Sequence, residues 1–434
     1  MPSRPAPAAG AQRTLAVAQL VSAVGDGAYY TSSALYFTKI VGLSPTRLGL
    51  GLAVAWGIGS LAGVPLGHLA DRRGARGTAA ALAFTTAAVV ASFLAVRSFP
   101  LFVLAACLYA TAQSGLSAAR QALVGRLVPA PERTRALARL QSTLNGGLAV
   151  GAALGGVALA VGTREAFLAA FALTALGFLA TGAVLLRLPA VAPAAAPPDG
   201  PGGAGGGLAV LADRRYAAVT LVNTVLLLRM PLLSLVIPLW IADRAPQLGW
   251  LGSALFVLNT VGVTLFQVRT ARAVTGLGSA TRTVRRAGAV LLASCAVFAL
   301  SAADVPVWAV AALLVAAASL QVLGEMQQSA GSWQIAFDLA PADRLGQYQG
   351  FFGTGVAVAR TAGPLLLTTL LLDWGAPGWL LLGTLFLAAG HAMGPVVRWA
   401  ERNRPWLRAP VAPGPATAAT TAAPAGARAK AYGE

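Results

Sequence analysis

The chain has 434 residues, of which 57% are hydrophobic and 11% are charged, and its mean hydropathy is +0.70. Soluble globular proteins carry about 25% charged residues, so this composition excludes an ordinary soluble domain and indicates many membrane-spanning segments. The net charge of +18 does not indicate nucleic-acid binding, because the basic residues are distributed between apolar runs along the whole chain.

Twelve apolar runs follow one another along the sequence, each long enough to cross a membrane. A bilayer core about 30 Å thick needs roughly 20 apolar residues per helical span. We therefore predict an all-α membrane protein with twelve transmembrane helices in two six-helix, pseudo-symmetric bundles. The predicted spans are 14–38, 48–70, 77–96, 101–125, 137–162, 165–187, 216–241, 249–268, 284–303, 307–336, 346–372 and 377–399.

A low-complexity segment divides these spans into two sets of six. Residues 189–207 read PAVAPAAAPPDGPGGAGGG, a composition that favours a linker over a helix. Two parallel six-helix repeats are typical of transporters, with the substrate site at the repeat interface. The predicted divisions are a cytoplasmic N-terminal segment 1–13, an N-terminal bundle 14–188, a cytoplasmic linker 189–213, a C-terminal bundle 214–402 and a disordered cytoplasmic tail 403–434.

The basic residues predict the orientation of the chain. With the N-terminus inside, 25 of the 32 Lys and Arg residues fall in cytoplasmic segments or at their edges, five fall outside, and two lie within spans. This bias follows the positive-inside rule and predicts a multi-pass cell-membrane protein with both termini in the cytoplasm. Cys107 and Cys295 lie inside apolar spans, so we expect no disulfide, no metal site and no cofactor.

A dense charged turn, GHLADRRGAR at residues 67–76, separates spans 2 and 3. Gly67 allows two helices to approach closely, and Gly74 supplies the backbone freedom of a tight turn. Asp71 is an acid able to cap the N-terminus of a neighbouring helix. Arg72 and Arg76 are expected to hold the turn at the cytoplasmic face.

This turn resembles, in its residues and its position, the loop 2–3 signature of the major facilitator superfamily. The resemblance covers about residues 14–399, through the twelve spans and the central linker. It implies that Asp71 meets the start of helix 11, near Leu345 and Gly346, and locks the two halves together on the cytoplasmic side. The alternative is a charged turn that sets topology and has no gating role.

Small residues recur in spans 5 and 11. Span 5 contains GLAVGAALGG, which resembles the helix 5 motif of the superfamily's antiporters, although Ala152 replaces the family's proline. Small residues four positions apart also allow close helix packing with no bearing on transport direction, and both interpretations stay open. The predicted helix-packing residues are Gly147, Gly151, Gly155, Gly156, Gly363 and Pro364.

Four ionisable residues, Asp26, Arg229, Glu325 and Arg360, lie near the centres of their spans. Each costs about 2.5–3.5 kcal/mol at mid-bilayer, so such residues normally face a wet cavity or a partner. Polar stripes at helical spacing accompany them on spans 1, 4 and 10, and the superfamily resemblance implies that helices 1, 4, 7 and 10 line a central cavity. The predicted substrate-cavity residues are Gln19, Tyr29, Tyr30, Tyr109, Gln113, Arg229, Gln321, Gln328 and Arg360.

The sequence leaves the roles of these charges open. Glu325 and Asp26 are the candidate proton-coupling residues, because a buried carboxyl tuned by its neighbours can exchange a proton. Asp26 could instead bind a cationic substrate group or be a structural acid. Arg229 and Arg360 either pair with Glu325 or bind an anionic group of the substrate.

We therefore predict a secondary active transporter that works by alternating access, without cofactor. The resemblance is nearest to bacterial twelve-helix proteins that couple proton entry to efflux of drugs or metabolites. The expected partners are a small-molecule substrate, protons and the lipid bilayer, with no nucleic acid and a monomeric state. Proton-linked uptake, facilitated diffusion of a nutrient and a non-transporting sensor are the alternatives. No Gly-Lys pair of a phosphate loop occurs, and the scattered external acids do not favour an enzyme.

Overall fold

The computed structural model describes residues 7–190, 208–402 and 404, and these residues are almost entirely helical with no strand. The N-terminal half has α1 (Pro7–Leu35), α2 (Pro45–Arg73), α3 (Ala75–Ser92), α4 (Phe99–Leu127), α5 (Arg133–Val161) and α6 (Arg164–Leu185). The C-terminal half has α7a (Arg214–Leu227), α7b (Ile237–Arg244), α8 (Gly249–Ala271), α9 (Leu277–Leu300), α10 (Val307–Asp338), α11 (Leu345–Thr368) and α12 (Ala376–Glu401).

Eleven of the described helices, α2 to α12 with the two parts of α7 taken together, are long and apolar enough to cross a membrane. α1 is not among them, although its 29 residues suffice in length. Its polar stripe, which includes Gln19, Ser22 and Asp26, lowers its hydropathy. The all-helical, multi-pass architecture predicted from the sequence is therefore confirmed. α1 differs from the other helices because it carries polar side chains that are buried inside the protein, such as Ser22 and Asp26.

The seventh helix differs from its prediction as one continuous span. α7a and α7b are separated by Pro231 and a π-helical turn, Leu232–Val236. A proline lacks the N–H that the helix ladder requires, and its ring clashes with the preceding turn. The helix therefore breaks close to mid-membrane.

The predicted divisions shift at their ends. The N-terminal segment is helical from Pro7, so it is not a separate irregular segment. Most of the predicted linker, residues 191–207, lies outside the described residues, and a 3₁₀ turn, Ala209–Ala212, precedes α7a. Of the predicted tail, 403–434, only Arg404 is described, so its predicted disorder also lies outside the described residues.

Glycines let α1 and α5 cross in direct contact. A Cβ on Gly151 would lie 2.0 Å from the carbonyl oxygen of Val24, and Gly147 and Gly155 also abut α1. A Cβ on Gly156 would meet nothing within 4 Å, because this residue lies on another face of α5. The predicted packing role of Gly156 is therefore wrong.

Comparable contacts organise the C-terminal half. A Cβ on Gly288 of α9 would lie 2.6 Å from the carbonyl oxygen of Phe386 on α12. A Cβ on Gly363 would lie 2.8 Å from Cγ of Pro231, and Pro364 lies next to this contact inside α11. The Gly-Pro pair therefore seats α11 against the break in α7.

Successive helices alternate in direction, which defines two sides of the bundle. The turn between α2 and α3, the start of α1 and the end of α12 lie on one side, which we call the basic side. The opposite side, where α1 ends and α2 begins, is called the far side. The candidate site is built between the halves, from the closed basic side up to mid-depth.

Candidate functional site

The two halves meet on the basic side where α2 crosses α11. A Cβ on Gly67 would lie 2.1 Å from the carbonyl oxygen of Gly346, and a Cβ on Gly350 would lie 2.1 Å from that of Gly63. Only glycine permits backbones to approach this closely. The contact therefore fixes how closely the halves can join.

Asp71 caps the first turn of α11 from the other half of the protein. Its Oδ1 accepts from the backbone N–H of Gly346 and its Oδ2 from that of Gln347, both at 2.9 Å. Arg126 of α4 forms an ion pair with the same carboxylate at 3.1 Å. The side chain is buried, so an anion is held at a helix N-terminus, where the helix dipole favours negative charge.

The rest of the 67–76 turn supports this contact. Gly74 has a φ of +98°, in the left-handed region that favours glycine. Arg76 donates to the carbonyl oxygen of Leu188 at 3.0 Å, which ties the turn to the end of α6. Arg72 is exposed beside the turn. Gly67 and Asp71 are thus the parts of the predicted gate at the interface itself, and Gly74 and Arg76 shape the turn behind it.

Other side chains close the basic side between α5 and α10. Thr134 donates to Oε1 of Gln334 across the interface. The guanidinium of Arg133 lies over the ring of Phe337, 5.8 Å from its centroid. Both contacts join the halves at the same end as Asp71, so the basic side is closed in this structure.

At mid-depth, the N-terminal half holds Asp26 by neutral hydrogen bonds. Oδ1 accepts from the hydroxyl of Tyr109 and from the side-chain amide of Gln113, each at 3.0 Å. Gln113 also donates to the Tyr109 hydroxyl at 3.1 Å. Among the described residues, Asp26 has no ion-pair partner within 4.0 Å. The acid is therefore held by dipoles rather than by a paired cation.

Asp26 opens onto a cavity of about 190 Å³ between the two halves. Gln19 and Arg120 line it from the N-terminal half, and Trp333 of α10 lines it from the C-terminal half. Arg120 donates to Oε1 of Gln19 at 2.8 Å and to Oγ of Ser22 at 3.3 Å. The cavity is therefore lined by one acid and one base, which form no ion pair, and Asp26 is only 8% exposed.

The C-terminal half holds its acid by an ion pair. Arg229 contacts Oε1 of Glu325 at 3.0 Å, and Asn259 of α8 donates to Oε2 of Glu325 at 2.9 Å. Arg229 also donates to Gln328 at 2.9 and 3.1 Å and to Ser329 at 3.1 Å. The Arg229 side chain is 5% exposed and that of Glu325 is 22% exposed. The base is sealed inside the half, while the acid keeps some access.

A buried amide network surrounds this pair. Gln328 donates to Asn223 at 2.8 Å and to Ser332 at 3.0 Å, and Ser332 donates to Asn223 at 2.7 Å. Gln321 donates to the backbone carbonyl of Arg229. Gln321 and Gln328 are each 1% exposed. Neither lines an open cavity as predicted, because both are buried within their own half, where Gln328 is fully hydrogen-bonded and Gln321 is bonded through its amide nitrogen.

The two tyrosines predicted for the cavity differ in position. Tyr29 is buried in an aromatic cluster, with ring centroids 5.1 Å from Tyr109, 5.5 Å from Phe171 and 5.8 Å from Phe93. Tyr29 is therefore a packing residue rather than a cavity residue. The ring of Tyr109 packs in the same cluster, and only its hydroxyl takes part in the site. Tyr30, by contrast, is 47% exposed.

Arg360 of α11 is exposed, with no hydrogen bond or ion pair to the described residues. Its guanidinium is near enough to Asp26 and Tyr30 for its charge to act on both. Arg360 therefore does not share the ion pair of Glu325, one of its two predicted roles.

Three polar residues of the site were not among the predicted site residues. Asn259 holds Glu325, Asn223 holds Gln328, and Arg120 lines the cavity. Each is a polar residue within an apolar span, and Arg120 belongs to the same polar stripe as Tyr109 and Gln113. No group of three or more His, Cys, Asp or Glu side chains that could hold a metal ion occurs among the described residues.

Comparison with known families gives a match to the Major Facilitator Superfamily over residues 15–364. No curated protein sequence matches the chain.

Solved transporter structures share the fold. The human organic anion transporter MFSD10 superposes with a TM-score of 0.70 at 17% identity, over 90% of this chain and 100% of its own. A bacterial homologue of the iron transporter ferroportin, in an outward-facing state, gives 0.66 at 16% identity, over 90% and 99%. The proton:xylose symporter XylE gives 0.64 at 14% identity, over 90% and 96%. At these identities the likeness establishes the fold alone.

Proposed function

Because the chain belongs to the major facilitator superfamily and is a membrane transporter rather than an enzyme, we propose that it exports a small amphipathic organic molecule with a cationic group in exchange for protons. The observation that carries this proposal is the position of Asp26, a carboxylate on the interdomain cavity whose direct partners are neutral.

A single acid on the cavity can serve as an exchange site. When Asp26 binds a proton, it loses the charge that attracts a cationic group. When it binds the cation, the cation neutralises the carboxylate and disfavours protonation. Two ligands that compete for one group cannot cross together. Their exchange couples inward proton movement to outward substrate movement. The membrane potential adds about 2.3 kcal/mol per elementary charge per 100 mV if net charge moves.

The pair of Arg229 and Glu325 supplies a second response to protons. Protonation of Glu325 removes the charge that faces Arg229 at 3.0 Å and leaves a buried cation with only amide and hydroxyl partners. A buried cation without its counter-charge is costly. Protonation therefore favours a rearrangement of α7, next to its break, and we assign Glu325 to coupling and Asp26 to exchange.

We place the basic side in the cytoplasm of the cell, since the segments predicted to be cytoplasmic join the described helices on this side. These segments and their edges hold 25 of the 32 Lys and Arg residues of the sequence. The closed contacts of Gly67 and Asp71 then make this an outward-facing arrangement. In the inward-facing arrangement, Asp71 leaves the start of α11 and the cavity opens to the cytoplasm.

One observation favours a second candidate, proton-linked uptake of an organic anion. Arg360 is an exposed cation at mid-depth without a partner among the described residues. Protonation of the nearby acids would strengthen its attraction for an anion, so proton and anion would bind together and cross together. The likeness to an organic anion transporter fits this candidate at the level of fold.

The test begins with a thermal-shift screen of amphipathic cations and anions on the purified chain, with ethidium as the first cationic probe. Hits are then assayed in proteoliposomes that contain the pH dye pyranine. For exchange, an acidic interior drives the cation inward while the interior becomes alkaline. Acidification of the interior as an anion enters would support uptake instead.

Asp26→Asn separates these outcomes further. The variant keeps an oxygen to accept from Tyr109 and Gln113 but carries no charge. We expect cation transport to fall by about tenfold or more, which corresponds to about 1.4 kcal/mol. The matched control is Asp304→Asn, the same change at an exposed residue of the far side, which should transport normally. Full cation exchange by Asp26→Asn would overturn the proposal.

A further inference from the structure

A groove of about 610 Å³ lies on the basic side, between the start of α9 and the end of α12, apart from the site described above. Its lining includes Arg282 and Arg285 of α9 and Arg398 of α12, and we call it the arginine groove. His391 and Glu401 also line it. Three cations and one acid therefore face the same space.

The three arginines are not neutralised by the protein. Each is exposed, and none forms a hydrogen bond or ion pair with the described residues. Glu401 is the one acid on the lining, so the groove carries a net charge of about +2. Like charges held together in one groove repel each other, and a bound anion would relieve that repulsion.

Glycines keep the groove open. A Cβ on Gly278 would meet only the guanidinium of Arg282, at 4.0 Å, and a Cβ on Gly394 only that of Arg398, at 3.4 Å. The floor is therefore backbone with unfilled space above it. A ligand could reach the arginines without displacing packed side chains.

The depth of the groove matches that of lipid headgroups. The 24 residues of α9 span about 36 Å, which exceeds a hydrocarbon core of about 30 Å. The groove lies at the basic end of this helix and of α12, where both project beyond the core. Further along α12 towards the far side, Leu385 is exposed about 14 Å from Gly394, within the depth of one leaflet of the bilayer.

The counterpart turn in the N-terminal half differs because it has an acid of its own. Asp71 neutralises Arg126 there and is buried against α11. The turn before α9, RTARAVTGLGSATR at residues 269–282, has no acid. Arg282, at the end of this turn, therefore has no acid of its own turn to pair with.

We propose that the arginine groove binds the phosphate headgroup of an anionic phospholipid, with its acyl chains along the basic-side half of α12 as far as Leu385. The lipid would anchor the C-terminal half at the membrane surface while the two halves move. This site is separate from the transport cavity, and its test does not depend on a transported substrate.

The test uses the purified full chain in detergent and short-chain lipids. Dioctanoylphosphatidylglycerol should raise the Tm in a saturable way, whereas dioctanoylphosphatidylcholine should not. Inorganic phosphate at the same concentration should have no effect, because it lacks the apolar part. Equal shifts with the two lipids, or a full shift with phosphate alone, would overturn the proposal.

Neighbouring arginines give a matched comparison. Arg285→Gln removes a charge from the groove and should weaken binding of phosphatidylglycerol about fivefold, the usual effect of one basic residue near an anionic lipid. Arg286→Gln removes the same charge from the adjacent exposed residue, which does not line the groove, and should bind normally. Equal weakening by both would indicate general surface charge and reject the site.

A third variant tests shape while it keeps every charge. Gly394→Leu fills the groove, and the nearest atom to its Cβ is the mobile end of Arg398. The chain should keep its Tm without lipid and lose most of the phosphatidylglycerol shift. Retention of the full shift by Gly394→Leu would place the lipid elsewhere.

Discussion

The two six-helix halves share a fold but hold their mid-membrane acids in opposite ways. In the N-terminal half, Asp26 accepts from a hydroxyl and an amide and faces the interdomain cavity. In the C-terminal half, Glu325 forms an ion pair with Arg229 inside its own bundle. The acid of the first half therefore lines the interdomain cavity, whereas the acid of the second half is paired with a base of its own bundle.

The two halves also differ on the basic side, in whether the turn between the second and third helix of each half contains an acid. The N-terminal half supplies Asp71 to cap α11, and the carboxylate accepts from backbone N–H groups of the C-terminal half. The corresponding turn before α9 has no acid and leaves its arginines exposed. The acid at the α2–α3 turn thus joins the two halves, whereas the equivalent turn of the C-terminal half has no acid and its arginines stay exposed.

The largest expected difference between the halves is in stability. Glu325→Gln leaves Arg229, 5% exposed, without its counter-charge, and should lower the free energy of unfolding by about 3–5 kcal/mol. Asp26→Asn keeps both hydrogen bonds and strands no cation, so its change should be below about 1 kcal/mol. Unfolding in mixed detergent micelles with rising dodecyl sulfate measures both.

A double-variant cycle sharpens this comparison. Glu325→Gln with Arg229→Gln replaces the ion pair by two amides and should recover much of the stability lost in either single variant, since neither charge is left alone. Additive losses would show that the pair is not energetically coupled. In transport, Glu325→Gln should lose proton-driven movement but keep counterflow exchange.

Next in size is a steric change at the interface between the halves. Gly67→Ala places a Cβ 2.1 Å from the carbonyl oxygen of Gly346, so the backbones must separate. Overpacking costs about 1–3 kcal/mol, enough to shift the equilibrium away from the closed basic side by up to about a hundredfold. The control is Gly57→Ala on the same helix, where a Cβ meets nothing within 4 Å.

Crosslinking across the basic side reads out this shift. Thr134→Cys and Gln334→Cys, at residues that hydrogen-bond across the interface, should crosslink readily in a chain whose native cysteines are replaced. Gly67→Ala should reduce the yield and Gly57→Ala should not. An unchanged yield with Gly67→Ala would mean that the glycine contact does not control closure.

Asp71→Asn is expected to act in the same assay with a smaller effect. The amide keeps one oxygen but turns an NH₂ group towards a backbone N–H, and it loses the ion pair with Arg126. A buried donor without its acceptor costs about 1–3 kcal/mol, so crosslinking should fall by about tenfold. The same yield as the parent would leave Asp71 as a topological charge without a gating role.

Much of the fold could be predicted because membrane helices follow from length and hydropathy alone. The twelve predicted spans each overlap a described helix, and Pro231 was visible within span 7. The break itself was not predicted, since a proline in a membrane helix can bend it or interrupt it depending on neighbours such as Gly363. The sequence alone does not show that Gly363 packs against Pro231.

The site could be predicted only in part, because helical periodicity shows which residues share a face but not what that face meets. The stripe of Gln321 and Gln328 was found, yet it faces Arg229 and Asn223 within its own half. The choice of Arg229 over Arg360 as partner of Glu325 required distances between helices. Asp71 was placed near Gly346 only through a family resemblance.

The smallest expected effect on stability comes from Asp213, the residue that caps the first helix of the C-terminal half. Asp213 caps α7a by accepting from the backbone N–H of Tyr216 at 3.0 Å, and it also accepts from Tyr348 and Arg404. Burial raises the pKa of Asp213, but these donors and the Arg404 charge outweigh it and lower the pKa below its ordinary value. α1, the first helix of the N-terminal half, has no acid in its first turn. A pH-dependent acidic cap is therefore expected at the first helix of the C-terminal half but not at that of the N-terminal half.

The sign of the pH dependence follows from the lowered pKa of Asp213. An acid with a lower pKa in the folded state than in the unfolded state stabilises the fold above its ordinary pKa of about 3.9 and loses that contribution as pH falls through the folded value. Asp213→Ala should therefore cost about 1 kcal/mol near pH 7, with a lower Tm. The difference in Tm from the parent should begin to shrink below about pH 4, where the unfolded state takes up a proton, and should be lost as pH falls through the lower pKa of the folded state. Asp213→Asn, which can still cap the helix, should lie between the two. A Tm difference that stays constant down to the acid limit would mean that Asp213 acts through its shape and not through its charge.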